Sequence, residues 1–126
     1  MIKAFVPILR DNGGGAIVNM NSVAAWTGSQ DAYNASKAAL WSATNAFRIR
    51  LHDQRTQVLS VHVGPIDTDM TRSLDVAKNS PHFVAASALD ALERGDSEVL
   101  VDEATRLVKA ALCGPVESLT VSRDNQ

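Results

Sequence analysis

The sequence predicts a parallel α/β fold. Helical and extended segments alternate along the 126 residues, the extended ones are apolar at most positions, and glycine or proline punctuates the boundaries. Residues 2–12 read as a helix, ended by Asn12 and the three glycines 13–15. Ala16-Ile17-Val18-Asn19-Met20 is a short apolar run directly after glycine, and so a strand. Residues 22–29 form a loop, with Gly28 as its turn and Ser29 as the N-cap of the next helix. From 30 to about 52, alanines recur at helical spacings, joined by Leu40, Trp41, Phe47 and Leu51. A second strand, 57–63, is broken by Gly64-Pro65. A polar loop to Pro81 leads into a helix over 82–94, ended by Gly95. Glu98-Val99-Leu100-Val101 is a third strand, and 103–112 is a last helix stopped by Gly114-Pro115. Strands apolar nearly throughout belong in a sheet covered on both faces. The sequence shows neither an internal repeat nor a low-complexity tract.

Composition narrows the function classes. At 45% hydrophobic and 21% charged residues, the chain has the makings of a packed core and is not a disordered segment. The net charge is −2 and the basic residues are scattered, which favours neither nucleic acid nor an anionic membrane as partner. One cysteine, Cys113, makes neither an internal disulfide nor a zinc cluster and fits a reducing compartment. The apolar start is closed by Arg10 and Asp11, unlike a signal peptide, and no run reaches the ~18 apolar residues of a membrane span. The expected location is the cytoplasm.

The chemistry concentrates at Tyr33 and Lys37. Four residues apart on a helix, their phenol and ammonium share one face, one turn apart. Ser22 lies eleven residues before Tyr33, just past the first strand, where a hydroxyl can reach the same point. Phenol, ammonium and hydroxyl together suit proton transfer to or from a carbonyl oxygen. A free phenol titrates near ~10, so lowering that to neutrality takes on the order of 4 kcal/mol. A solvated lysine one turn away supplies only ~1 kcal/mol of this. The rest must come from a dry site and from further positive charge beside the phenol.

With its motifs in this order, the chain resembles the C-terminal half of a short-chain dehydrogenase/reductase. Gly15-Ala16-Ile17-Val18-Asn19 followed by Ser22 is similar to that family's fifth strand and catalytic serine. Tyr33-Asn34-Ala35-Ser36-Lys37-Ala38-Ala39-Leu40 is similar to its signature helix, and Gly64-Pro65-Ile66-Asp67-Thr68-Asp69-Met70 to the loop after its sixth strand. The resemblance implies an α/β fold that is the C-terminal half of a Rossmann-type doubly wound parallel sheet, with 1–126 a partial NAD(P)-binding domain. It implies hydride transfer between NAD or NADP and a small carbonyl or secondary alcohol. Tyr33 would be the general acid/base, Lys37 its electrostatic partner and ribose ligand, and Ser22 the donor to the substrate oxygen. Tyr33, Lys37, Gly64, Ile66 and Thr68 would contact the cofactor, and Trp26 would line the substrate pocket. The small-residue helix 30–52 would pair in a homo-oligomer.

Several features depart from the family pattern. Gly13-Gly14-Gly15 follows a helix and precedes a strand, the reverse of a phosphate-binding loop, so it reads as a surface turn. Three strands are found where a complete dinucleotide-binding sheet has roughly six, which leaves the cofactor half missing. Asn21 replaces the first serine of a Ser-Ser pair, and Val63-Gly64 replaces Pro-Gly. His52, His62 and His82 share no metal-ligand spacing and read as structural or surface residues, and Asp67, Asp69 and Asp75 as solvated loop carboxylates. The alternative expectation is a truncated, inactive chain acting as a remnant or as an oligomer partner.

Overall fold

The structure, a computed structural model, describes residues 1–28 and 31–119. The expected N-cap at Ser29 and helix start at Gln30 lie outside them. β1 (Gly15–Met20), β2 (Thr56–His62) and β3 (Glu98–Leu100) form a parallel sheet in that spatial order. The register pairs Ile17 with Val58 and Val61 with Val99. The helices are α1 (Ile2–Asp11), α2 (Asp31–Arg50), α3 (Pro81–Glu93) and α4 (Glu103–Ala110). Each expected element is present, with ends displaced by one or two residues.

β2 is the central strand of the sheet and is buried on both faces, one apolar and one carrying polar side chains. Leu59, Val61 and Val63 meet Val84, Ala88 and Ala91 of α3, together with Val101. Strand alternation turns Ser60 and His62 to the opposite face, where Trp26 stacks on His62 and Trp41 of α2 stands edge-on to Trp26. Leu59 is fully buried, so truncating it to alanine is expected to cost about 2–5 kcal/mol. Polar anchors fix α2 on the sheet. Asn19 Nδ2 donates to Thr44 Oγ1 at 2.8 Å, and Arg48 donates from Nε to the Val58 carbonyl at 3.0 Å.

The triple glycine turns α1 into β1. Gly13, Gly14 and Gly15 all have positive φ, and a Cβ on Gly14 would lie 2.4 Å from the Arg55 carbonyl oxygen. Only glycine fits that close approach. β1 is an outer strand, and Val18 and Met20 on it are 40% and 44% exposed.

Candidate functional site

Ser22 is held from four sides by main-chain and side-chain bonds. Asn21 N–H donates to the Val61 carbonyl at 2.8 Å and Val23 N–H to the Val63 carbonyl at 3.1 Å, so β2 anchors both neighbours of Ser22. Its own N–H donates to Asn21 Oδ1 at 3.0 Å. Its carbonyl accepts from Ala25 N–H at 3.1 Å and lies 3.2 Å from His62 Nδ1. Ser22 Oγ accepts from Ala24 N–H at 3.1 Å, capping the short 3-10 turn Val23–Ala25. An oxygen used as an acceptor keeps its hydroxyl hydrogen to donate elsewhere. Asn21 therefore does structural work in place of a serine, shaping the turn that presents Ser22.

Tyr33 lies in the first turn of α2 and is 37% exposed. Lys37 Nζ sits 5.7 Å from the Tyr33 ring centroid and donates to the Met20 carbonyl at 3.0 Å. That bond joins α2 to the last residue of β1, two residues before Ser22. Asn34, one residue after Tyr33, is buried, and its Nδ2 donates to Thr27 Oγ1 at 2.9 Å and to the Thr27 carbonyl. α2 is thus fastened through Asn34 to the loop after Ser22 and through Lys37 to the end of β1, and the elements carrying Ser22, Tyr33 and Lys37 converge.

Trp26, expected on a pocket wall, is buried against the sheet. It is 5% exposed, stacked on the His62 ring at 4.1 Å, with Lys109 Nζ 4.6 Å from its ring centroid. The turn Val23–Ala25 folds the chain back so that the indole covers the sheet instead of facing solvent. Beneath it, His62 Nε2 lies 2.8 Å from Ser60 Oγ and 3.3 Å from Glu98 Oε1. Trp41 Nε1 donates to Glu98 Oε1 at 3.2 Å, and Lys109 Nζ lies 2.9 Å from Glu98 Oε2. The hydrogen bond with His62 lowers the Glu98 carboxyl most, burial opposes it, and Lys109 adds to the lowering, leaving it at about 2.

The loop 64–79 carries the other expected contacts. Gly64 N–H donates to Asp102 Oδ2 at 2.7 Å, so this main-chain donor already has a protein partner. Ile66 packs against the core, and its carbonyl accepts from Thr71 Oγ1 and, at 3.4 Å, from Thr68 Oγ1. Thr68 is exposed. Burial pushes the Asp102 carboxyl up, but donors from Thr105, Gly64 and Asn79 together hold it below its ordinary range.

Sequence reasoning gave no role to Glu98, Asn79 or Asp102, and it read His62 as structural or surface without its partners; the structure buries it. Asp102 carried a local signal as the N-cap of α4. Its second bond, to a residue 38 positions away, had none.

Residues 1–79 match the family of short chain dehydrogenases. The chain belongs to that family. It is 31% identical over 109 residues to an uncharacterized oxidoreductase of Staphylococcus saprophyticus, covering 82% of this chain and 46% of the relative. It is 37% identical over 76 residues to dehydrogenase/reductase SDR family member 4 of Homo sapiens, covering 59% of this chain and 27% of the relative. In structure it is similar to a short chain dehydrogenase from Burkholderia cenocepacia in complex with NADP. There the TM-score is 0.86 at 36% identity, over 94% of this chain and 52% of that one. The chain spans less than half the length of these curated relatives. The sheet is accordingly part of a Rossmann-like α/β arrangement of parallel strands and helices. No helix among the described residues is long and apolar enough to cross a membrane.

Proposed function

We propose that this short-chain dehydrogenase chain serves hydride transfer between NAD or NADP and a small carbonyl compound or secondary alcohol. The observation that carries this is the bond from Lys37 to the Met20 carbonyl. It fixes the Tyr33–Lys37 face of α2 to the strand end that leads into Ser22.

The residues present suit the nicotinamide side of such a cofactor. Lys37 Nζ gives one of its three hydrogens to Met20 and keeps two for ribose hydroxyls. Ile66 and Thr68, on the loop after β2, are the candidates for the carboxamide end. The triple glycine does not suit pyrophosphate, since Gly14 packs against the Arg55 carbonyl and Gly15 against Leu9. When bound, the cofactor supplies or takes the hydride. Ser22 Oγ–H donates to the substrate oxygen and orients it. Tyr33 passes its phenolic proton to that oxygen during reduction and takes it back during oxidation. Lys37 stabilises the phenolate that the transfer leaves.

The test is steady-state reduction of a panel of small ketones with NADH and NADPH. Tyr33→Phe is expected to lower kcat by about 10²-fold or more, and Ser22→Ala to lower it less. Unchanged turnover in Tyr33→Phe would remove Tyr33 from the chemistry.

A second reading is favoured by the outer face of α2, where Ala32, Ala35, Ala39, Ala43 and Ala46 are all exposed. In it, the chain has no turnover of its own and pairs through this helix with a second copy. Absence of turnover together with a stable dimer would favour it over the first.

A further inference from the structure

The loop 64–79 leaves β2 and returns to α3 through a narrow neck. Asn79 N–H donates to the Pro65 carbonyl at 2.8 Å, and Asp67 N–H to the Asn79 carbonyl at 2.9 Å, a single parallel bridge between Ile66 and Asn79. One bridge between half-buried residues, with Asp67 and Ser80 exposed beside it, is weak, because water competes for its bonds. A carboxylate reinforces it. Asp102 Oδ2 accepts from Gly64 N–H at 2.7 Å and from Asn79 Nδ2 at 2.8 Å, one donor from each side of the neck. Asp102 Oδ1 accepts from Thr105 N–H at 2.8 Å, as the N-cap of α4. Three segments far apart in sequence thus share one ionised group, and bonds to an ionised acceptor are the strong ones. Gly64 is small for the same reason. A Cβ there would lie 3.1 Å from Asp102 Oδ2, inside normal contact.

We propose that Asp102 is a positioning residue that clamps the neck of the loop 64–79 to the start of α4, and so holds Ile66 and Thr68 for a nicotinamide cofactor. The clamp stands on the geometry alone, whereas its consequence for the cofactor rests on the oxidoreductase reading. Oδ1 serves the helix and Oδ2 serves the loop, so the two roles separate by substitution. Asp102→Asn keeps the shape and turns one acceptor into a donor. Asn79→Ala removes one leg of the clamp and leaves the α4 cap in place.

The experiment is amide hydrogen exchange on the full chain and both variants, with NADPH and NADH titrated in parallel. The expected result is exchange about tenfold or more faster at Asp67 and Asn79 in both variants. In Asn79→Ala the α4 amides keep the parent's protection. NAD(P)H binding weakens in both variants by about the same factor as the loop loosens. Loop protection within about twofold of the parent in Asn79→Ala, or equal acceleration of loop and α4, overturns the clamp. Loosening without any change in affinity overturns the positioning role. A parent that binds neither nucleotide, with the loop loosened as expected, leaves the clamp standing and refutes the oxidoreductase reading. If Asp102→Asn does not fold, Asn79→Ala decides alone.

Discussion

Lys37 Nζ donates to the Met20 carbonyl at 3.0 Å, joining the helix that bears Tyr33 to the strand that leads into Ser22. The bond gives Lys37 a structural task beside the electrostatic one proposed for it. Its ammonium lies 5.7 Å from the Tyr33 ring centroid while it holds the helix in register with the strand end.

Replacing Lys37 by methionine removes charge and anchor together, whereas arginine keeps the charge on a wider, planar head. Both variants are expected to fold, since the site is solvent-exposed and the bond is worth about 1 kcal/mol. Lys37→Met is expected to lose carbonyl reduction about 10²-fold or more. A melt that shifts strongly while turnover per folded molecule stays constant would make Lys37 purely structural.

Glu98 ties stability to acid. Its folded-state carboxyl stands at about 2 against an ordinary 4.5, so its contribution is complete above that ordinary value and fades as pH falls toward the lower one. After allowance for the solvent that still reaches it, the contribution is on the order of 1–2 kcal/mol. Urea melts across this acid window are expected to steepen in pH dependence for the parent and to flatten for Glu98→Gln. Equal slopes in both proteins would contradict this assignment.

Trp26 is a packing residue. Trp26→Ala empties the space over His62 and is expected to cost about 3 kcal/mol or more. Trp26→Phe keeps a ring there and is expected to cost less than half as much. Denaturant midpoints decide this. A neutral Trp26→Ala that altered substrate preference would return the indole to a pocket wall.

The exposed alanine face of α2 predicts self-association. The parent is expected to sediment as a dimer or larger, and Ala43→Glu as a monomer, because a symmetric interface places the new charge beside its own copy. A monomeric parent at micromolar concentration would remove helix 31–50 as an interface.

Much of this architecture was legible because it is local. Three of the four helices run up to a glycine or a Gly-Pro pair, and the apolar runs at Ala16 and Val58 mark strands without reference to any partner. Tyr33 and Lys37 needed only the helical repeat to be placed together. What stayed hidden depends on contacts between distant segments. His62 looked like a lone histidine until the sheet brought Ser22, Ser60 and Glu98 around it. Trp26 looked like a loop aromatic because nothing local showed the turn that folds it inward. Gly64 was read as a cofactor contact, and the structure adds that its N–H is bonded to Asp102.

The central claim is that Tyr33 delivers the proton for hydride transfer to a carbonyl carbon. The most direct measurement is deuterium transfer from nicotinamide-4-deuterated NADPH or NADH into the alcohol product, followed by mass spectrometry with the parent chain and with Tyr33→Phe. The account predicts deuterated alcohol from the parent and a yield lower by about 10²-fold or more from Tyr33→Phe. No deuterium transfer by the parent, or equal transfer by both proteins, would contradict it.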